Sequence, residues 1–391
     1  MAKPELRLKG FDGEWINHSI IELAILKAGK NFNKRDVVDT PSNGYYPCYG
    51  GNGQRGYLPY YNIEGKYNII GRQGALCGCV NVAEGKFYAT EHAVLVTPIV
   101  DIDFDFLHES LVRANINQYA TGAAQPGISV ANVNSQLRLF IPLIYEQKAI
   151  GDYFRSLDSM IQAATKKIAS LKQMKSASLI SMFPLAGETK PRVRFKGFEG
   201  EWDKKLLNEC LDISKEKNAD NKYGKDDVLS VSDDFGVMNQ IELLGRSYAG
   251  KSVSNYGVLK HGQLVYTKSP LKSKPYGIVK ENTGETGIVS VLYARYTAKE
   301  NTWIPFIHYY FDPSWRLNAY LRPLINKGAK NTMNISDETA LTGYIMIPKD
   351  IKEQQRIASY FRSLDKQISL QEQRLEKLKQ IKSACLDKMF V

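Results

Sequence analysis

The sequence predicts an α+β fold assembled twice, in which two globular regions alternate with two long helical rods. Three observations predict it. A stretch recurs at a constant offset of 207 residues: Tyr153-Phe154-Arg155-Ser156-Leu157-Asp158 returns as Tyr360-Phe361-Arg362-Ser363-Leu364-Asp365, Leu171-Lys172-Gln173 as Leu378-Lys379-Gln380, and Met182-Phe183 as Met389-Phe390. An offset that no insertion disturbs is how a rigid rod behaves. Within each copy the apolar positions alternate in steps of four and three. Between the rods, short β-branched and aromatic runs mix with glycine-rich turns and helix-like stretches.

The chain opens with Pro4-Glu5-Leu6-Arg7-Leu8-Lys9-Gly10-Phe11-Asp12-Gly13-Glu14-Trp15, which returns as Pro191 to Trp202 at an offset of 187. The change of offset from 187 to 207 makes the second globular region 20 residues longer than the first. Each half therefore reads as a start signal, a variable globular region and a rod. The expected division is residues 1–142 for the first globular region, 143–184 for the first rod, 185–190 for a linker, 191–348 for the second region and 349–391 for the second rod.

In the first region, Tyr45 to Gly53 is turn chemistry beside aromatics. Tyr67–Gly71 and His92–Thr97 read as strands. Phe104–Asn115 reads as a helix, with Phe104, Leu107, Leu111 and Val112 on one face. Thr121–Gly127 is a loop and Leu137–Pro142 a closing strand. The second region has the same grammar in different words. Val228–Val231, Gln263–Thr267 and Gly287–Leu292 are strand candidates, while Pro305–Tyr310 and Ala319–Ile325 are helical. Lys327–Asn331 is a loop and Tyr344–Pro348 the closing strand.

The first rod places Ile150, Phe154, Leu157, Ile161, Ala164, Ile168 and Leu171 on a coiled-coil seam; the second places Ile357, Phe361, Leu364, Ile368, Gln371, Leu375 and Leu378 there. Each would extend roughly 55–60 Å at 1.5 Å per residue. Neither seam is broad enough to stand alone in water, so each rod is the other's expected partner. Gln371 either fixes their register or faces solvent.

Composition bounds the function. The chain has 391 residues, a net charge of +11 and 43% hydrophobic residues, enough for real cores and a bias toward a polyanionic partner. No run is long and apolar enough to span a membrane, and Met1–Glu5 lacks a secretion signal's apolar core. Five scattered cysteines make no disulfide framework. A reducing, cytoplasmic location is expected.

Three motifs tempt and fail on context. Gly245-Arg246-Ser247-Tyr248-Ala249-Gly250-Lys251-Ser252 matches a phosphate-binding loop. Ile241–Leu244 is the candidate strand before it, but the Val253–Val258 segment that follows is no helix. Gly51-Asn52-Gly53-Gln54-Arg55-Gly56 matches a dinucleotide fingerprint but leads into Tyr57-Leu58-Pro59 instead of a helix. Cys77 and Cys79, with Cys48 and His92, lack usual zinc spacing, so no metal is expected. No methyltransferase, hydrolase or metalloprotease signature is present, and no catalytic residue is expected.

The start signal, Glu-Gln before each long helix, Tyr-Phe-x-x-Leu-Asp and Leu-Lys-Gln-x-Lys-Ser-Ala together resemble the DNA-specificity subunit of type I restriction–modification systems. The resemblance covers both halves. Tyr46–Gly53, Gly122–Gly127 and Leu264–Ser269 look like elements of that family's target-recognition domains. The resemblance implies two such domains in pseudo-twofold relation, separated by antiparallel coiled-coil helices that set their spacing. It implies a non-catalytic subunit that reads a bipartite, asymmetric double-stranded DNA target. Its partners would be two methyltransferase subunits and restriction–translocase subunits, with S-adenosylmethionine, ATP and Mg on those partners and no cofactor on this chain. Residues suited to base and phosphate contacts on the expected loops are Tyr49, Asn52, Arg55, Arg72, Gln73 and Gln125 in the first domain, and Arg246, Lys251, Lys268, Lys272, Lys274, Lys330 and Asn331 in the second. The competing expectations are a basic RNA-binding or coiled-coil scaffold protein, and a self-contained ATPase or nuclease resting on Gly245–Ser252.

Overall fold

In a computed structural model, residues 3–122, 126–269, 274–327 and 333–391 are described. The chain divides into two compact units: Met1–Lys166 with Glu372–Val391, and Lys167–Gln371. Each unit thus contains one globular region, the opening half of the helix that follows it and the closing turns of the other helix.

The first region runs β1 (Ile16–Ser19), α1 (Ile20–Leu23), β2 (Ala24–Ala28), β3 (Tyr46–Gly50), β4 (Gly53–Leu58), β5 (Ile63–Gly71), β6 (Val80–Ala89), β7 (Ala93–Pro98), α2 (Phe104–Arg113), α3 (Val130–Gln136) and β8 (Arg138–Ile141), then α4 (Ile144–Ser181). Six strands form one sheet in the order β2-β7-β5-β6-β3-β4, and β1 pairs with β8. The inner face of the sheet buries Ile70, Val94 and Val96 beneath Leu107 and Leu111 of α2. Asp103 caps α2 by accepting from the Asp105 and Phe106 amides at 3.1 and 2.9 Å.

The second region runs β9 (Asp203–Leu206), α5 (Leu207–Cys210), β10 (Leu211–Ile213), β11 (Leu229–Ser232), β12 (Gly236–Asn239), α6 (Gln240–Leu244), β13 (Gly257–Leu259), β14 (Leu264–Thr267), β15 (Val279–Glu281), β16 (Gly287–Val289), β17 (Tyr293–Ala298), α7 (Ile304–Phe311), α8 (Ser314–Leu321), β18 (Asn326–Lys327), β19 (Met333–Asn334) and β20 (Tyr344–Ile347), then α9 (Ile351–Met389). A four-stranded sheet, β10-β17-β14-β15, is flanked by the β11-β12 and β13-β16 pairs, and β20 pairs with β9. The α+β reading holds for both regions.

Two local expectations are corrected. Ile241–Leu244 is not a strand but the body of α6, because the Asn239 side chain accepts from the Ile241 and Glu242 amides and starts a helical turn. The helix expected at Ala319–Ile325 begins earlier and stops at Leu321. Pro313 opens it, and Pro323 cannot continue a helix interior.

The repeated letters acquire roles, and each role occurs once per unit. Arg7 donates twice to Glu146, both at 2.7 Å, and Arg194 donates twice to Glu353 at 2.6 and 2.7 Å. The start signal is therefore pinned by a forked ion pair to the helix that follows the same globular region. Gln147 accepts from the Asp103 amide and donates to the Pro142 carbonyl; Gln354 does the same with Trp303 and Pro348.

The seam meets its partner inside each unit. In the first, Ile150, Phe154 and Leu157 of α4 pack with Cys385, Met389 and Phe390 of α9. In the second, Leu171, Leu179 and Phe183 pack with Ile357, Phe361 and Leu364. Opening turns thus meet closing turns, so the helices run antiparallel where they touch. Phe390 lies against Trp15, Phe106 and Phe154, and Phe183 against Trp202, Phe306 and Phe361. Burying each phenylalanine contributes about 1.5–3 kcal/mol. Gln371, Leu375 and Leu378 are only half-buried, so the seam is weakest in that part of α9.

Candidate nucleic-acid interface

In the first unit the β3–β4 turn, the segment after β5 and the turn before β7 converge. The Gly50–Arg55 hairpin, Gln73, Gly74 and His92 line an open cleft of about 480 Å³. A second cleft of about 340 Å³ shares Gln73 and His92 and adds Arg72, Thr121, Gly127 and Ser129. Glycines allow this convergence. A Cβ on Gly51 would run into the Gln73 main chain, and one on Gly71 into the Gly51 carbonyl. The Gly51–Gly56 motif is therefore a hairpin with closely approaching neighbours, with no helix to receive a dinucleotide.

Of the residues expected to touch DNA here, Asn52, Arg55, Arg72 and Gln73 all line these clefts. The Arg55 guanidinium lies 5.0 Å over the Phe32 ring, and Arg72 Nε donates to the Ile128 carbonyl at 3.2 Å. Both residues are exposed. Tyr49 differs: it packs edge-on against Phe87, with its hydroxyl pushed above the ordinary tyrosine range by burial. His92, which sequence reading considered only as a metal ligand, lines both clefts and has Glu91 at 3.4 Å. Gln125 lies outside the described residues.

In the second unit, Arg246, Tyr248 and Lys251 follow α6 on an exposed segment, with the Arg246 guanidinium 4.6 Å over the Tyr248 ring. Gly245 ends α6 in the left-handed conformation, and no helix follows. The phosphate-loop letters are thus a helix C-terminus, with the wrong polarity for phosphate. Lys268 and Lys274 are engaged elsewhere. Lys268 meets Asp337 at 2.7 Å and Lys274 meets Asp233 at 3.2 Å. Beside them, Lys280 and Lys175 share Asp312 at 3.0 and 3.3 Å. Burial alone would lower Lys175, but Asp312 and Asp365 reverse that and hold it above its ordinary value. Lys272, Lys330 and Asn331 lie outside the described residues.

Among the described residues no group of three or more His, Cys, Asp and Glu could hold a metal ion. Cys48 is fully buried and its thiol is pushed up to about 11 by burial, unlike a ligating thiolate. Cys79 Sγ lies 3.5 Å from the Gly51 carbonyl and 3.4 Å from Asn81 Nδ2, a packing role. No described helix is long and apolar enough to cross a membrane.

Residues 13–173 match the family described as the type I restriction modification DNA specificity domain. Over those residues, less than half of its length, the chain is similar to that domain. Its matched span takes in the clefts and most of α4. Over 157 residues the chain is 38% identical to the type I restriction enzyme EcoprrI specificity subunit of Escherichia coli. That alignment spans 40% of this chain and 38% of the relative. Across its whole length the chain has the fold of the type I restriction–modification S subunit from M. genitalium, with a TM-score of 0.70 at 14% identity, covering 100% of this chain and 99% of that one. The second globular region lies beyond the matched span, yet it repeats the first region's Arg–Glu fork and its glutamine contacts at the start of the long helix.

Proposed function

We propose that the chain is the DNA-reading subunit of a type I restriction–modification complex. Each unit reads one half of a bipartite, asymmetric duplex target. The two helices, each running from one unit into the other, set the gap between the halves. Two methyltransferase subunits and the restriction–translocase subunits bind this chain and perform the chemistry, carrying S-adenosylmethionine, ATP and Mg themselves. This chain contributes recognition alone.

The observation that carries the proposal is the doubling of the contacts that anchor each long helix to its globular region, around two different surfaces. The first surface is a cleft of amide, imidazole and guanidinium groups suited to base edges. The second presents Arg246 and Lys251 on an exposed segment. Repeated helix anchors with different surfaces suit two half-sites of different sequence. The net charge of +11 supports a polyanionic partner. Coexpression with a partner adenine methyltransferase, followed by genome-wide mapping of methylated adenines, tests the proposal. A motif of two short sequences around a fixed unspecified gap is expected. Tighter binding to RNA than to duplex DNA, with no methylation motif, would favour the scaffold reading instead.

A further inference from the structure

The turn before β7 in the first unit and the turn before β17 in the second are built alike. The Ala93 amide donates to the Thr90 carbonyl at 2.9 Å, and the Tyr293 amide to the Ser290 carbonyl at 3.1 Å. The Thr90 hydroxyl accepts from the His92 amide at 3.3 Å, and the Ser290 hydroxyl from the Leu292 amide at 3.4 Å. The carbonyls of His92 and Leu292 then accept from Arg72 and Lys268, at 2.8 and 3.2 Å. Three hydrogen bonds therefore recur in the two turns, while the two side chains at the tip change character. Glu91-His92 in the first unit is Val291-Leu292 in the second.

His92 lines the clefts proposed above to read DNA. Its counterpart Leu292 is 58% exposed and Val291 is 65% exposed. Two adjacent large apolar side chains at the tip of a rigid turn are unfavourable in water unless an apolar partner covers them. The neighbouring cation does not supply polar readout, because Lys268 is held by Asp337 at 2.7 Å. The major groove offers one apolar group, the C5-methyl of thymine.

We infer that Val291 and Leu292 read a thymine methyl in the half-site of the second unit, at the position where the first unit presents His92 to a polar base edge. This rests on the proposed function, since it assigns base chemistry to the turn that matches one taken to face DNA.

The test begins with the methylation motif of the intact complex. Duplexes carrying that motif are then made with each thymine of both half-sites replaced singly by uracil, which removes only the methyl. At one position in one half-site, the replacement is expected to weaken binding by about fourfold, the worth of one buried methyl group. Leu292→Ala should bind thymine and uracil there equally, whereas Leu292→Met should keep the difference. Equal affinity of the unaltered complex for thymine and uracil at every position would overturn the inference while leaving the bipartite reading standing. Loss of methyltransferase binding by Leu292→Ala, with thymine preference kept, would assign the pair to a protein contact and also overturn it. Absence of any bipartite motif would sink the proposed function itself.

Discussion

Lys382 on α9 donates to both carboxylate oxygens of Asp158 on α4, at 2.7 and 2.8 Å, and to Glu109 at 2.9 Å. Its counterpart Lys175 meets Asp365 at 2.8 Å. The second lysine of each Leu-Lys-Gln-x-Lys-Ser-Ala copy thus clasps the aspartate of the Tyr-Phe-x-x-Leu-Asp copy on the other helix. Glu109 is almost fully buried, and burial holds its carboxyl above the ordinary glutamate range while Lys382 pulls it back. Lys382→Met leaves that carboxylate without its cation. The expected loss is on the order of 2–3 kcal/mol, below the fully buried case because Asp158 remains half exposed. The deficit should shrink below the glutamate range, where Glu109 is protonated in both states. Chemical denaturation at pH 7 and pH 4 checks both statements; an equal deficit at both would contradict the role of Glu109.

His308 should make the second unit acid-sensitive. It is buried, and burial drives its imidazole down to about 3 while Nδ1 accepts from the Glu281 amide at 3.0 Å. In the unfolded chain histidine takes up a proton near pH 6.5; in the folded unit it stays neutral until far lower. Stability is therefore full above pH 6.5 and falls as pH drops from there toward 3. His308→Gln keeps an acceptor for the Glu281 amide and removes the titrating group. Its melting temperature should be lower than the unaltered chain's at pH 7, but should decline less between pH 6.5 and 4. Parallel slopes for both proteins would contradict this.

The two kinds of lysine in the second unit should behave differently. Lys251 is exposed after α6, whereas Lys274 is half-buried against Asp233. Lys251→Ala should weaken duplex binding at all sequences and reduce the salt slope by about one, as loss of a single phosphate contact does. Lys274→Ala should instead lower the melting temperature, by leaving Asp233 with fewer partners, and keep the salt slope. Titrations between 50 and 200 mM salt, with thermal melts alongside, separate the two outcomes.

Much of the fold was legible because rods and start signals repeat at constant offsets and mark every element that repeats. Glu146, Gln147 and Asp158 could be recognised as repeated letters, but their partners could not. The Lys382–Asp158 pair joins residues 224 apart, and nothing local announces it. The same limit made Lys268 and Lys274 look like free cations in a basic chain, when Asp337 and Asp233 hold them. Ile241–Leu244 misled because a four-residue apolar run fits strand and helix equally, and the Asn239 cap decided it. His92 was visible as a histidine before a strand. Its neighbours Arg72 and Gln73 became a cleft only when β5 and β7 paired.

The central claim is that each unit reads its own half of the target. The methylome directed by an Arg72→Ala, Gln73→Ala double variant, coexpressed with the partner methyltransferase, tests it most directly. The account expects one half-site to relax at one or two positions, by about 1–3 kcal/mol per lost base contact, with the other half-site and the gap unchanged. Relaxation of both half-sites, a changed gap, or an unchanged motif at unchanged affinity would contradict it.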